Sequence, residues 1–355
     1  MFMIRISNIV SGMIFMLLLG LLLLFKDALL NAHVTGAIEY LASDAVTYFT
    51  AYEVLFSDVN LAEAPDLLLV GSPILFMNLV SGELLLIQLW QLTLMFISIS
   101  IGVECFNTVR GRITFIAGTL AFPYFLLGFL SLNKEIYAMC ATILFASYYL
   151  RGKWSHLMVA LILAMISRYY MVISLVTLLL LVPRIGKPRY WLIFAMLVVI
   201  SVAAPFVKSI VPGYSSEGLL DAPSNIGLIS SRIIDSFGYA IFYPFKYVIL
   251  IPMRAYGFFV DTSRAANAME GLVSIGSLAM LILVMYLVLL RIPMRPVVMR
   301  LILLGFVAPM PIMWSEIMHW RYYSYVYFFF MFAVILHFVD RPKNSPKQQL
   351  GSVNA

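Results

Sequence analysis

The chain has 355 residues, a net charge of +6 and a composition that is 63% hydrophobic, with a mean hydropathy of +0.99. Soluble proteins contain only about 45–50% apolar residues. Charged residues make up 11% of the chain, which excludes a sizeable soluble domain. The first apolar run, from Ile6 to Phe25, is too long for the core of a cleavable signal peptide. The composition therefore predicts an all-α polytopic membrane protein, with residues 1–355 in a single integral membrane domain.

The basic residues predict which side of the membrane each loop occupies. Most of them lie next to the end of an apolar run, as the positive-inside rule expects of cytoplasmic loops. Among the acidic residues, we assign only Glu104 and Asp340 to that side. The pattern predicts about ten transmembrane helices with both termini in the cytoplasm. The basic residues assigned to the cytoplasmic side are Arg5, Arg110, Arg112, Arg151, Lys153, Arg184, Lys187, Arg189, Arg291, Arg295, Arg300, Arg341, Lys343 and Lys347.

Two extracytoplasmic segments interrupt the series of predicted helices. The first is an acidic outer loop at 26–83, which contains a half-helix broken by glycine and proline. The second is a long outer loop at 208–268, and a cytoplasmic basic tail at 339–355 ends the chain. In chain order, the predicted helices are 6–25, 84–103, 113–132, 136–150, 156–167, 170–182, 190–207, 269–290, 301–314 and 322–338.

The fifth and sixth predicted helices form a short pair around Arg168. The run from His156 to Val182 is long enough for one helix that crosses the membrane. Basic residues at 151–153 and at 184–189 nevertheless place both flanks on the same side. The run is therefore predicted to fold back as two short helices, with Arg168 near the tip. A charge at that depth costs about 3 kcal/mol unless it is paired or hydrated, so we expect an anionic partner.

Further polar residues are predicted on the outer face. Asp44, Tyr48 and Tyr52 have the i, i+4, i+8 spacing of one side of a helix. That spacing fits a surface helix at the level of the headgroups, or a carboxylate above an aromatic sugar-binding platform. Lys134 and Glu135 end an apolar hairpin. They are either a solvated turn or charges at the outer mouth of the bundle.

Other candidates for substrate contact lie beside Arg168, in the long outer loop and before the last helix. An aromatic belt explains tyrosine and tryptophan at a membrane surface, but it does not explain a Glu, a His and an Arg within a few residues. Arginine suits phosphate or headgroup oxygens, and tyrosine can stack on a sugar ring. These candidates are Tyr169, Arg232, Arg254, Arg264, Glu316, His319, Arg321 and Tyr322.

The motifs that the chain lacks restrict the chemistry. There is no Walker loop, paired-His zinc motif or Gly-rich nucleotide fingerprint. Cys105 and Cys140 are predicted at different levels of the membrane. We predict no metal, no cofactor and no nucleic-acid partner, so the energy must come with the substrate, as in a polyprenyl-pyrophosphate-linked sugar. Outward-facing cations such as Arg168 would stabilise the leaving phosphates.

A general base is then needed on the acceptor hydroxyl. The candidates for that role are Asp44, Glu135 and His319. The anomeric carbon of the donor sugar would be attacked directly, with inversion of its configuration.

Taken together, these features resemble two bacterial families, the Wzy-type O-antigen polymerases and the EpsG-like exopolysaccharide polymerases. The features that carry the resemblance are the acidic loop with Asp44-x3-Tyr48-x3-Tyr52, the turn Ser131-Leu132-Asn133-Lys134-Glu135, the helix pair bearing Arg168, and the entry Arg321-Tyr322-Tyr323 into the last helix. The resemblance implies a metal-independent glycosyltransferase-type polymerase in the bacterial inner membrane. It would join undecaprenyl-pyrophosphate-linked oligosaccharide repeat units at the outer face, in O-antigen, capsule or exopolysaccharide biosynthesis.

The same resemblance implies roles for individual residues and partners. Arg168 and Arg321 would bind pyrophosphate, with Lys134 assisting. The expected partners are the lipid-linked oligosaccharide, membrane lipids, a chain-length regulator and a flippase.

Two other functions stay open on the sequence alone. One is a membrane glycosyltransferase that takes a polyprenyl-phosphate sugar donor and adds a single sugar, with Asp44 as its base. The other is a flippase or transporter of lipid-linked sugars, with Arg168 as a substrate site within the membrane. The absence of an internal sequence repeat gives the transporter no support.

Overall fold

The structure is a computed structural model that describes residues 2–37, 84–122, 128, 130, 135–167, 169–210, 265–309 and 323–340. Every regular element in these ranges is helical, which confirms the predicted all-α class. The helices are α1 (Phe2–Val34), α2 (Leu84–Val103), α3 (Val109–Leu120), α4 (Glu135–Arg151), α5 (Trp154–Ser167), α6 (Tyr169–Leu181), α7 (Tyr190–Ile210), α8 (Ala265–Leu289), α9 (Pro296–Val307) and α10 (Tyr323–Val334), which continues into a π-helical turn (Ile335–Val339).

The first helix is longer than predicted. We expected it to end at Phe25, but α1 continues through Lys26 and Asp27 to Val34. Neither charged residue breaks a helix, because hydropathy marks where a span leaves the membrane and does not decide where helical backbone ends. Gly36 follows with a φ of +75°, a conformation that glycine adopts readily just after a helix.

Several other helices also begin earlier than predicted, and the reason is visible for α3 and α9. The prediction started α3 at 113, but Thr108 caps the helix by accepting a 3.0 Å hydrogen bond from the backbone N–H of Gly111. For α9 we expected a start at 301, and Pro296 begins it instead, a residue favoured in the first turn. Arg300 therefore lies within a helix and not in a loop.

Three helices in the described ranges are long and apolar enough to cross a membrane. They cover Ile9–Val34, Leu84–Val103 and Leu272–Leu289. Five shorter apolar helices accompany them, at Trp154–Ser167, Met171–Leu181, Tyr190–Val199, Pro296–Val307 and Val326–Val339. The ten crossings and the extracytoplasmic segments stay predictions, and most of both segments lies outside the described residues.

Helix α4 lies at the centre of the bundle. Every residue from Glu135 to Tyr149 is buried, and the helix contacts α2, α5, α9 and α10. A helix that is covered on all sides needs no polar face, which accounts for its nearly uniform apolar sequence. Small residues such as Ala138 and Ala141 allow the surrounding helices to approach closely.

Helix α10 forms the second part of the core and contacts α3, α4, α8 and α9. Its Phe332 ring stacks on Phe106, with centroids 5.5 Å apart. Gly305 of α9 leaves the space that the Phe330 ring occupies. Large rings on α10 and small residues on its neighbours therefore fit together.

Contacts between α2 and α4 show that these two helices run in the same direction. Ile143 lies beside Gly102, together with Phe115, and the Cys105 thiol bonds to the Ser147 hydroxyl at 3.2 Å. Each residue of α4 therefore lies level with the residue about 42 positions earlier in the chain, which belongs to α2 or to the turn that follows it. That alignment fixes the height of every α4 side chain relative to α2.

Helices α5 and α6 fold back on each other, as predicted. Arg184 follows the pair in the chain and Tyr149 precedes it. The Nε of Arg184 donates a 3.2 Å hydrogen bond to the Tyr149 carbonyl. The Tyr149 hydroxyl in turn donates to the carbonyls of Leu178, at 3.2 Å, and Val182. Both flanks of the pair therefore meet at one end of the bundle. Arg168 itself lies outside the described residues.

Candidate functional site

Most of the predicted site residues lie outside the described residues, so their roles stay predictions. The predicted site residues outside the described ranges are Asp44, Tyr48, Tyr52, Lys134, Arg168, Arg232, Arg254, Arg264, Glu316, His319, Arg321 and Tyr322. Tyr169 begins α6, but its side chain is not described. Glu135 is the predicted site residue whose side chain the structure describes.

Glu135 is fully buried at the first residue of α4. Its side chain is 0% exposed, which excludes a solvated turn for this residue. The first turn of a helix carries backbone N–H groups without intrahelical partners and favours a negative charge. A buried carboxylate in this position is expensive in a membrane protein and is a candidate functional group.

Two glutamines of α2 lie near the height of Glu135. Because α2 and α4 run in parallel with an offset of about 42 residues, Gln91 is within about 3 Å of Glu135 along the helix axis. Gln91 is buried beside the hydroxyl of Tyr137. Gln88 lies about one helical turn before Gln91 on α2, and its Nε2 donates to the Leu130 carbonyl at 2.6 Å. Amide side chains therefore occupy the same end of the bundle as the carboxylate.

Ser167 reaches the same height from α5. Helices α4 and α5 are antiparallel, and the Ser147 hydroxyl and His156 Nδ1 lie 2.9 Å apart near their shared turn. Measured along the helix axes from this contact, Glu135 is about 18 Å away on α4 and Ser167 is about 16 Å away on α5, in the same direction. The two residues therefore lie at nearly the same height. The Ser167 hydroxyl is buried and has no hydrogen-bond partner among the residues that the structure describes. The junction between α5 and α6, where the sequence has Arg168, follows directly.

Gln88, Gln91, Glu135, Tyr137 and Ser167 are buried at the same end of the bundle, and we call these five residues the polar cluster. Sequence reasoning identified Glu135 and missed the other four. Two glutamines at i and i+3 in an otherwise apolar helix were the available signal, but their partners, Leu130 for Gln88 and Tyr137 for Gln91, lie more than forty positions away in the chain. Buried amide and hydroxyl groups in membrane helices either join helices or serve a function.

The other end of the bundle is basic, and its two carboxylates have partners. Glu104 forms a 3.0 Å ion pair with Arg151. Asp340 is fully buried and accepts hydrogen bonds from the backbone N–H groups of Asn107, at 3.0 Å, and Thr108, at 2.7 Å. Arg151 is about 24 Å from Glu135 along α4. The polar cluster and the basic end are therefore separated by most of the thickness of a bilayer core, which is about 30 Å.

Arginines at the basic end donate to backbone carbonyls. Arg112 Nε donates to the Phe106 carbonyl at 2.8 Å, and Arg295 donates to the Leu336 carbonyl. Carbonyl groups near helix C-termini lack intrahelical partners, and guanidinium groups satisfy some of them here. Arg295 therefore connects the start of α9 to the end of α10, whereas Arg112 holds the turn before α3.

The two cysteines are free thiols at different heights, as predicted. Cys105 bonds to Ser147, which is seven residues, or about 10 Å, from Cys140 along α4. Burial raises the pKa of the Cys105 thiol to about 11. Within the described ranges, no three His, Cys, Asp or Glu side chains come close enough to hold a metal ion.

The fold and its two ends define an all-helical protein of membrane-spanning character. A buried polar cluster lies at one end of the bundle, and a network of arginines lies at the other. Comparison of the chain with protein-family models, with curated proteins and with solved structures finds no match.

Proposed function

We propose that the protein polymerises undecaprenyl-pyrophosphate-linked oligosaccharide repeat units at the outer face of a bacterial inner membrane. The observation that carries the proposal is the position of Glu135. It is a fully buried carboxylate at the end of the bundle opposite the arginines. It also lies level with Ser167, whose successor in the chain is Arg168. A carboxylate and a strong cation are the groups that glycosyl transfer from a pyrophosphate donor needs.

The orientation follows from the positive-inside rule. Basic residues near positions 112, 151, 184 and 295 meet at one end, which we place in the cytoplasm. The chain then crosses ten times, with both termini in the cytoplasm, and the polar cluster lies towards the outer leaflet. A lipid-linked substrate in that leaflet reaches the cluster without crossing the membrane.

The reaction assigns each group a role. The carboxylate of Glu135 accepts the proton of an acceptor hydroxyl, whose oxygen attacks the anomeric carbon of the donor sugar. The bond from that carbon to the pyrophosphate oxygen breaks, and the lipid pyrophosphate leaves with the electron pair. Arg168 stabilises the leaving group, because a planar guanidinium contacts two phosphate oxygens at once. Asp44 and His319 are the other candidates for the base.

The neutral members of the polar cluster suit the sugar itself. Gln91 and Tyr137 offer donors and acceptors that match sugar hydroxyls without adding charge. Ser167 carries a buried hydroxyl that has no partner in the described ranges. Substrate hydroxyl groups would satisfy it.

The test is the surface polysaccharide of a deletion strain that carries the Glu135→Gln variant. We expect single repeat units in place of long polymer, with the protein still present in the membrane by immunoblot. Glu104→Gln is the matched control, since it removes a carboxylate at the basic end and should leave chain length normal. Long polymer from Glu135→Gln would contradict the assigned role.

Gel electrophoresis of the surface polysaccharide also distinguishes the polymerase from a single-sugar transferase and from a flippase. Truncated repeat units in the deletion strain would indicate a single-sugar transferase. No repeat units at the cell surface would indicate a flippase.

A further inference from the structure

The segment that joins α6 to α7 has an unusual surface. Ile185 is 81% exposed and Trp191 is 85% exposed, and these are the two most exposed large apolar side chains in the described residues. Lys187 and Arg189 lie between them in the chain and are also exposed. Two cations thus alternate with apolar groups over seven residues. We call residues 185–191 the basic-aromatic loop.

The backbone of this loop is held in place by its neighbours. Arg300 of α9 donates to the carbonyls of Arg184 and, at 2.8 Å, Gly186. Arg184 is itself fixed, since it bonds to the Tyr149 carbonyl and its guanidinium lies 6.0 Å from the centre of the Tyr148 ring. A rigid loop that projects cations and apolar groups outward is a preformed surface for a partner.

The charges of this loop are not neutralised within the described part of the chain. There, neither Lys187 nor Arg189 forms an ion pair through its side chain. The carboxylates of the same end have other partners, with Glu104 on Arg151 and Asp340 on backbone N–H groups. The two cations are therefore available to an external anion.

We propose that the basic-aromatic loop binds the headgroup of an anionic phospholipid. The phosphate lies between Lys187 and Arg189, while Trp191 and Ile185 enter the boundary between headgroups and acyl chains. Tryptophan is enriched at that depth, and basic residues near the membrane surface are attracted to anionic lipid. The lipid would hold the start of α7, which is otherwise a peripheral helix. This inference does not depend on the proposed sugar chemistry.

The test is native mass spectrometry of the purified full chain with phosphatidylglycerol or phosphatidylcholine added. We expect preferential binding of phosphatidylglycerol, and a loss of about thirtyfold in affinity for Lys187→Gln/Arg189→Gln. That factor follows from about 1 kcal/mol for each basic residue near the surface. Phosphatidylcholine binding should not change. Equal binding of the two lipids by the unaltered protein would overturn the proposal.

A matched control distinguishes a local site from net charge. Arg110→Gln/Lys153→Gln removes two other exposed cations from the basic end and should retain phosphatidylglycerol binding. An equal loss in this control would show that total charge attracts the lipid, and the loop would have no special role. The conservative variant Lys187→Arg/Arg189→Lys should bind as the unaltered protein does. Its failure would also overturn the proposal.

Discussion

The Asp340 carboxylate connects the end of the last helix to the turn between α2 and α3, and its removal should loosen that turn. Its oxygens accept from the backbone N–H groups of Asn107, at 3.0 and 3.1 Å, and of Thr108, at 2.7 Å. Substitution by alanine would leave both donors without their charged acceptor. Since a hydrogen bond to a charged group contributes about 1.5–3 kcal/mol, we expect Asp340→Ala to cost about 4 kcal/mol. Asp340→Asn keeps one acceptor oxygen and should cost about half as much.

Cys105 provides a local measure of this change, since it precedes Asn107 by two residues. Burial raises the pKa of its thiol to about 11, from an ordinary value of 9.0. At pH 8 the reactive thiolate is therefore about 100-fold rarer than in a free cysteine. Alkylation should be correspondingly slow and should accelerate about tenfold for each pH unit up to the pKa. Exposure of the turn in Asp340→Ala would lower the pKa again and raise the rate at pH 8 by up to about 100-fold.

The assay compares alkylation rates in a Cys140→Ala background, where Cys105 is the remaining cysteine. Thermal unfolding of the same proteins in detergent should show a fall of roughly 5 °C for Asp340→Ala. Asp27→Ala is the control, because Asp27 is an exposed carboxylate on α1. If Asp340→Ala left both the alkylation rate and the melting temperature unchanged, the Asp340 hydrogen bonds would not stabilise the turn.

Two further predictions concern Arg168, the proposed pyrophosphate-binding residue, and the packing of the core. Arg168→Ala should abolish long polymer while the protein stays in the membrane. Arg168→Lys should also lose most of its long polymer, because an ammonium cannot make a two-pronged contact with phosphate. Normal chain length of Arg168→Ala on a polysaccharide gel would refute the proposed mechanism. Gly305→Ala should lower stability by about 1–3 kcal/mol, because the added methyl group overlaps the Phe330 ring. Thermal unfolding measures this loss, with Gly20→Ala as the control, since a methyl group there meets nothing within 4 Å. Equal melting temperatures for the two glycine variants would show that α9 and α10 can separate at no cost.

Helix positions could be predicted where charge and hydropathy change at the same residue. The predicted range 84–103 matches α2, because acidic residues flank a largely apolar run that contains no charged residue. The fold-back of α5 and α6 followed from basic residues on both flanks. In α1 the end of the apolar run and the end of the helix do not coincide, since the charged residues Lys26 and Asp27 come well before the helix end at Val34. Hydropathy reports solvent preference, whereas a helix ends where its backbone geometry changes.

Contacts between distant parts of the chain could not be predicted. The bond between Asp340 and Thr108 joins residues 232 positions apart. Similarly, Gln91 comes level with Glu135 only because α2 and α4 run in parallel with a particular offset. No local pattern specifies that offset, because it depends on which small residues face each other across the two helices. The polar cluster could therefore be identified only from the structure.

Arginine at the basic end serves twice during the life of the chain. While the helices are being inserted, Arg184, Arg295 and Arg300 count simply as positive charges that retain a loop on one side of the membrane. Once the bundle has formed, their guanidinium groups donate to backbone carbonyls of other helices and loops. Lysine would satisfy the first requirement and fail the second, because a single ammonium lacks the flat, divergent donors. A lysine-substituted chain would thus enter the membrane in the correct orientation and assemble into a bundle whose helices are poorly joined.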